Sequence, residues 1–167
     1  SSSDELIRID RFNNTVVVGT GFDGFLSLAF GQDHALYVSY RDYDAILRIA
    51  PPTVPGMEVG VYAGVTDPQS LSFAPDGTLY AGRDNSGSGG TSADAVKINR
   101  VGPCGSPVTE FGSTAILDPD AVAFDAAGIV SGIPGSVLVG GLTSFPNGQI
   151  SRIAPNGTVT TIFGPNS

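Results

Sequence analysis

The 167-residue chain carries sixteen Asp and Glu against seven Arg and a single Lys, Lys97, for a formal charge of -8, with 23 Gly, 12 Pro and no Trp. A surface this acidic repels phosphate backbones and anionic membranes, which excludes nucleic acid and favours cations, neutral glycans or basic proteins. Apolar residues come in bursts of about four to six, far short of the ~20 consecutive positions of a membrane helix. Bursts bounded by Gly, Pro, Asn and Asp read as short strands and tight turns, so the class is all-β.

In chain order, the first strands expected are Leu6-Ile7-Arg8-Ile9 and Thr15 to Gly19. A four-strand phrase follows: Leu28-Ala29-Phe30, Leu36-Tyr37-Val38, Ile46-Leu47-Arg48-Ile49 and Glu58 to Ala63. It recurs as Leu71-Ser72-Phe73, Leu79-Tyr80-Ala81, Ile98-Asn99-Arg100-Val101 and Val108 to Phe111. It recurs again as Val122-Ala123-Phe124, Leu138-Val139-Gly140, Ile150-Ser151-Arg152-Ile153 and Val159 to Phe163. The arginines Arg8, Arg48, Arg100 and Arg152 stand 40, 52 and 52 residues apart. Naming the strands a to d, the chain holds strands c and d and then three full phrases, fourteen strands in all.

A period of ~40–50 residues with four strands per repeat is the signature of a propeller blade. The turns agree: Ala74-Pro75-Asp76-Gly77 joins a to b and Pro155-Asn156-Gly157 joins c to d, where Asp-Gly and Asn-Gly supply the positive φ of a hairpin. A β-sandwich also uses short strands, but it does not require one phrase to recur in register. The expectation is a partial β-propeller of about three and a half blades, with a half blade over 4–21 and blades over 22–64, 65–113 and 114–165. A ring needs at least ~4 blades, so another copy, another chain or further sequence must complete it.

The phrase Leu71-Ser72-Phe73-Ala74-Pro75-Asp76-Gly77-Thr78-Leu79-Tyr80 resembles the first hairpin of NHL, virginiamycin-lyase-like and gluconolactonase-like propellers. Ala35-Leu36-Tyr37-Val38-Ser39 followed by Asp44-Ala45-Ile46-Leu47-Arg48-Ile49 resembles the next. The resemblance covers nearly the whole chain and specifies blade type, while such blades host many unrelated functions. The absence of a Trp-Asp pair separates it from WD40 blades, and Gly140-Gly141 is the single kelch-like feature.

In a propeller the d–a and b–c loops share one face, here called the rim, and the a–b and c–d turns share the other. The rim gathers the distinctive polar residues. Its d–a loops carry Asp23, Asp67, Gln69, Asp118 and Asp120; its b–c loops carry Arg41, Asp42, Tyr43 and Asp44, then Arg83, Asp84, Asn85 and Asp94. Convergent carboxylates and amides suit sugar hydroxyls or a hard cation such as Ca²⁺, with Asp84 and Asp120 as candidate metal ligands. Asp before Pro or Gly is equally ordinary turn chemistry. The segment from Asp84 to Asp94 has alternating oxygen side chains but Ala95 where a calcium loop needs its bidentate Glu, so it reads as a Gly/Ser loop.

The gluconolactonase resemblance implies metal-binding Asn in a Pro-Asn-Gly phrase ahead of strand a. The matching positions read Pro68-Gln69-Ser70, Pro119-Asp120-Ala121 and Phe25-Leu26-Ser27. Asp120 suits a cation, Gln69 weakly and Leu26 not at all, so that metal set is not intact in this half. The lyase resemblance implies a His base near the channel mouth, whereas the one histidine, His34, falls in an a–b turn on the opposite face. Cys104 has no basic neighbour in its turn and pairs with no second cysteine. Asn13-Asn14-Thr15 and Asn156-Gly157-Thr158 are formal glycosylation sequons. The arginine of strand c reads as a structural element of the blade edge.

The opening Ser1-Ser2-Ser3-Asp4 lacks a basic start and an apolar stretch, which implies an intracellular, processed or fragmentary chain. Low Lys with abundant Ser, Thr and Gly resembles extracellular or periplasmic proteins. The expected function is a non-catalytic binding or scaffold module with an acidic face for a protein or glycan. Two alternatives are a subunit that self-associates or joins another propeller segment, and a metal-dependent lactonase- or lyase-like enzyme completed elsewhere.

Overall fold

The computed structural model describes residues 5–21, 24–50, 58–83, 95–144 and 147–164. Strands β1 (Glu5–Ile9) and β2 (Thr15–Thr20) form an antiparallel pair. Strands β3 (Phe25–Phe30), β4 (Leu36–Tyr40), β5 (Ala45–Ile49) and β6 (Val59–Gly64) form a four-stranded antiparallel unit in sequence order. The remaining seven, β7 (Pro68–Phe73), β8 (Leu79–Arg83), β9 (Ala95–Val101), β10 (Val108–Asp125), β11 (Ser136–Ser144), β12 (Asn147–Ile153) and β13 (Val159–Phe163), also hydrogen-bond in sequence order.

Thirteen strands form among the described residues, not fourteen, because β10 is both strand d of the second unit and strand a of the third. Its Val108–Phe111 stretch pairs with β9, and Ala121–Asp125 pairs with β11. The expected boundary between 113 and 114 lies inside this strand. Elsewhere the turns explain the strand ends. Gly77 (φ 85°) and Gly157 (φ 86°) take the left-handed conformation that L side chains disfavour, and His34 (φ 61°) occupies the corresponding place in the first unit. The exposed His34 is thus a turn residue.

The core lies between units rather than within them. Tyr37, Ile46 and Ala63 of the first unit meet Leu71, Leu79 and Val101 of the second. Ile98 and Tyr80 of the second, with Phe111 and Ile116 of β10, meet Val137, Val139 and Ile153 of the third. Each sheet thereby buries one face against its neighbour, which removes apolar area from water and fixes the stacking. Innermost strands are also tied by hydroxyls: Leu71 N–H donates to Ser27 Oγ (3.3 Å), and Phe124 N–H to Ser72 Oγ (2.9 Å). Ser39 Oγ donates to the Gln69 carbonyl (3.0 Å). On the face of the first unit away from the second, Val38 and Ile49 are buried while Leu26, Leu28 and Phe30 of β3 remain exposed.

Candidate functional site

Antiparallel order places the loops after β4, β6 and β8 on one face, the expected rim. There a single 3₁₀ turn over Arg41–Tyr43 ends at Asp44, whose φ of 50° turns the chain into β5. Asp44 N–H donates to the Arg41 carbonyl (3.0 Å) and its carbonyl accepts Val65 N–H (2.9 Å). Its carboxylate Oδ1 accepts Asp67 N–H at 2.9 Å. One short side chain therefore joins the b–c loop of the first unit to the d–a loop that leads into the second.

Asp42 lies alongside, with Oδ1 3.5 Å from Arg41 Nε. The carboxylate stands so close to Gly24 that a Cβ there would sit 2.8 Å from Oδ2. Three aromatic rings stack in series from β3 to the loop. Phe25 meets Tyr40 edge-on at 5.0 Å, and Tyr40 meets Tyr43 at 4.4 Å. Tyr43 is 70% exposed. Phe25 and Tyr40 were not readable as rim residues, because both lie in strands and a strand position does not show which rings stack toward the loop.

The other expected residues are divided between this junction and the next. Asp118 (φ 50°) repeats the left-handed geometry of Asp67 (φ 45°), each before a proline. Asp120 is exposed, and its carbonyl and that of Pro119 lie against Gly82. Gln69 contributes its backbone carbonyl to Ser39. Arg83 Nη1 approaches Glu110 Oε1 at 3.7 Å, while its buried Nε has no hydrogen-bond partner among the described residues. Asp23, Asp84, Asn85 and Asp94 lie outside the described residues. Among the described residues no three Asp, Glu, His or Cys side chains converge as a metal ion would require.

The strand-c arginines act within the blades. Arg48 Nη2 and Nε reach Asp33 Oδ2 at 2.6 and 2.8 Å, tying strand c to the a–b turn. Arg152 Nη1 does the same through the Ser131 carbonyl at 2.8 Å. Partial burial raises the Asp33 carboxyl, but hydrogen bonds from Arg48, Ala35 N–H and the Tyr37 hydroxyl outweigh it and hold the group below its usual value. Cys104 is exposed in the turn Pro103–Gly105.

No family model matches the chain, and no curated protein matches it in sequence. Solved structures do. Virginiamycin B lyase from Staphylococcus aureus aligns over 96% of this chain and 49% of its own, at 14% identity and a TM-score of 0.61. A gluconolactonase-like protein aligns over 96% and 56%, at 15% identity and a TM-score of 0.66. A 6-phosphogluconolactonase-like protein from Bacteroides uniformis aligns over 97% and 51%, at 14% identity and a TM-score of 0.58. The fold is a partial β-propeller. The chain spans about half the length of the propellers it matches. Its units are blades, in agreement with the repeat read from the sequence, and likeness at this level of identity speaks to fold and not to activity. Among the described residues no helix is long and apolar enough to cross a membrane.

Proposed function

We propose that the chain is a non-catalytic propeller module, working outside the cytoplasm, that holds a protein or glycan on its acidic rim. One observation carries the reading. Asp42, Asp44 and the exposed Tyr43 stand together on a rim that the Asp44–Asp67 hydrogen bond locks across two blades. An exposed aromatic ring flanked by carboxylates offers a stacking surface and hydrogen-bond acceptors to a sugar ring or a basic side chain. Ca²⁺, with Asp120 and Asp84 among its ligands, is the ion whose chemistry fits these oxygens. The test is a panel of immobilised neutral glycans and basic peptides, probed with and without CaCl₂. Binding that disappears in Asp42→Ala and Tyr43→Ala is the expected result; binding indifferent to both variants retires the rim.

A second reading, a metal-dependent lactonase or lyase completed by strands beyond this chain, draws on what the matched structures are called. It predicts stoichiometric divalent-ion binding by the completed ring. A third, an assembly subunit, draws on the exposed Leu26, Leu28 and Phe30.

A further inference from the structure

The face opposite the rim carries the same hollow twice. Between the first and second blades a space of about 390 Å³ is lined by Asp33, Tyr37 and Arg48 together with Phe73 and Pro103 of the next blade. Between the second and third blades a space of about 380 Å³ is lined by Asp76 and Tyr80 together with Phe124, Ala126, Gly135 and Pro155. Four positions of the two linings correspond. Asp33 and Asp76 sit in the a–b turns, each four residues before the strand-b tyrosine. Phe73 and Phe124 come from strand a of the following blade, and Pro103 and Pro155 from its c–d turn.

The two hollows differ at the cross-strand arginine. In the first, the chain's own guanidinium is inside: Arg48, the cross-strand neighbour of Tyr37, sits on Asp33 Oδ2. In the second, Arg100 is the cross-strand neighbour of Tyr80 in the same register, yet its guanidinium lies 5.4 Å over the Phe111 ring instead. Among the described residues the Asp76 carboxylate accepts only Thr78 N–H, at 2.9 Å. The rings of Tyr80 and Phe124 stand near-parallel beside it, 5.9 Å apart at 11°.

We propose that the hollow between the second and third blades is a receptor for a guanidinium from outside, an arginine side chain of a basic protein partner. The first hollow shows the chemistry completed within the chain: a planar cation on a turn aspartate, beside a tyrosine and a phenylalanine. The second keeps the carboxylate, the rings and the room, and lacks the cation. Guanidinium suits the place because it stacks on aromatic faces while donating charge-assisted hydrogen bonds to a carboxylate. The net charge of -8 draws such a partner in. This site is separate from the rim and stands whether or not the rim binds anything.

The experiment is a titration of the ¹⁵N-labelled chain with N-acetyl-arginine methylamide, followed by amide shifts, with the isosteric, uncharged N-acetyl-citrulline methylamide alongside. Saturable shifts at Thr78, Tyr80, Ala126 and Gly135 are expected with the arginine compound alone. Asp76→Asn, whose amide oxygen still accepts Thr78 N–H, weakens them about tenfold or more. Arg100→Ala leaves the affinity unchanged or tighter. Equal responses to citrulline, or an Asp76→Asn variant that binds as well, overturn the proposal. So does binding seen only in Arg100→Ala, since Arg100 would then fill the hollow itself.

Discussion

At the end of β10 the Asp125 carboxylate accepts backbone N–H groups from Ile129 (3.1 Å), Val130 (3.0 Å) and Ser131 (2.8 Å). It thereby folds the long a–b loop of the third blade, in which Ser131 and Ser136 hydroxyls both donate to the Ile133 carbonyl. The Ser131 bond is the foremost cause that holds its carboxyl below the usual 3.8; partial desolvation works against it, and the Val130 and Ile129 bonds add to it. A group whose folded pKa lies below its unfolded value stabilises the fold above the unfolded value and loses that effect as pH falls through the folded one. Asp125→Ala is therefore expected to be less stable than the parent at pH 6, with the difference shrinking as the solution is taken below pH 3.8. Urea unfolding of both proteins at several pH values measures it, and a constant difference from pH 6 to pH 2 would contradict the role. The sequence shows an Asp ahead of a Gly-rich stretch, but not that three successive amides point back at it.

At the scale of elements, strands b and c were legible because apolar alternation, a fixed arginine and Asp-Gly or Asn-Gly turns all marked them. The junction inside β10 was not. Gly112, Asp118 and Pro119 read as strand ends, yet the chain bends at Gly112 (φ 124°) and Asp118 (φ 50°) without leaving β10, while its partner changes from β9 to β11 across two register shifts. Contacts between blades were equally hidden. Asp33 and Arg48 meet because strand register brings them together, and Asp44 meets Asp67 because β5 and β6 return the chain to the same face. The blade junctions also explain particular glycines. In the first blade Ser39 faces the Gln69 carbonyl and donates to it; in the second, Gly82 takes that place and the strands close up. A Cβ at Gly82 would sit 2.5 Å from the Pro119 carbonyl oxygen and 2.9 Å from that of Asp120. Gly82→Ala must push two blades apart, at a cost of about 1–3 kcal/mol. Gly64→Ala, with nothing within 4 Å of its Cβ, is the control and changes stability by less than about 0.5 kcal/mol. Chemical denaturation of the pair measures the difference, and a Gly82→Ala variant as stable as Gly64→Ala would contradict the close approach.

For the molecule as a whole, the sheet faces decide what the chain does in solution. The first blade buries Tyr37 and Ile46 against the second, and on its other face Val38 and Ile49 are buried too. Leu26 (44% exposed), Leu28 (54%) and Phe30 (74%) form an apolar stripe along strand a of that outer face. Strands β1 and β2 make up a sheet of two strands where the first full blade has four, with Ile7, Ile9, Val16 and Val17 exposed. A stripe on β3 and a two-stranded sheet have one geometric solution in common: two more strands, in the a and b positions, would cover the first and complete the second. Until they are supplied, the stripe remains a sticky surface. The 167-residue chain is therefore expected to sediment as a species heavier than one polypeptide and to bind an apolar dye. Leu28→Ser with Phe30→Ser should return it to the monomer and cut the dye signal, with the blades' far-ultraviolet signature intact. The same loss of dye binding, with Leu28 and Phe30 in place, should follow when strands from a longer propeller segment are added. A wild-type chain that sediments as a monomer and leaves the dye dark would mean that the stripe is already covered, and the half-open ring would have to be abandoned.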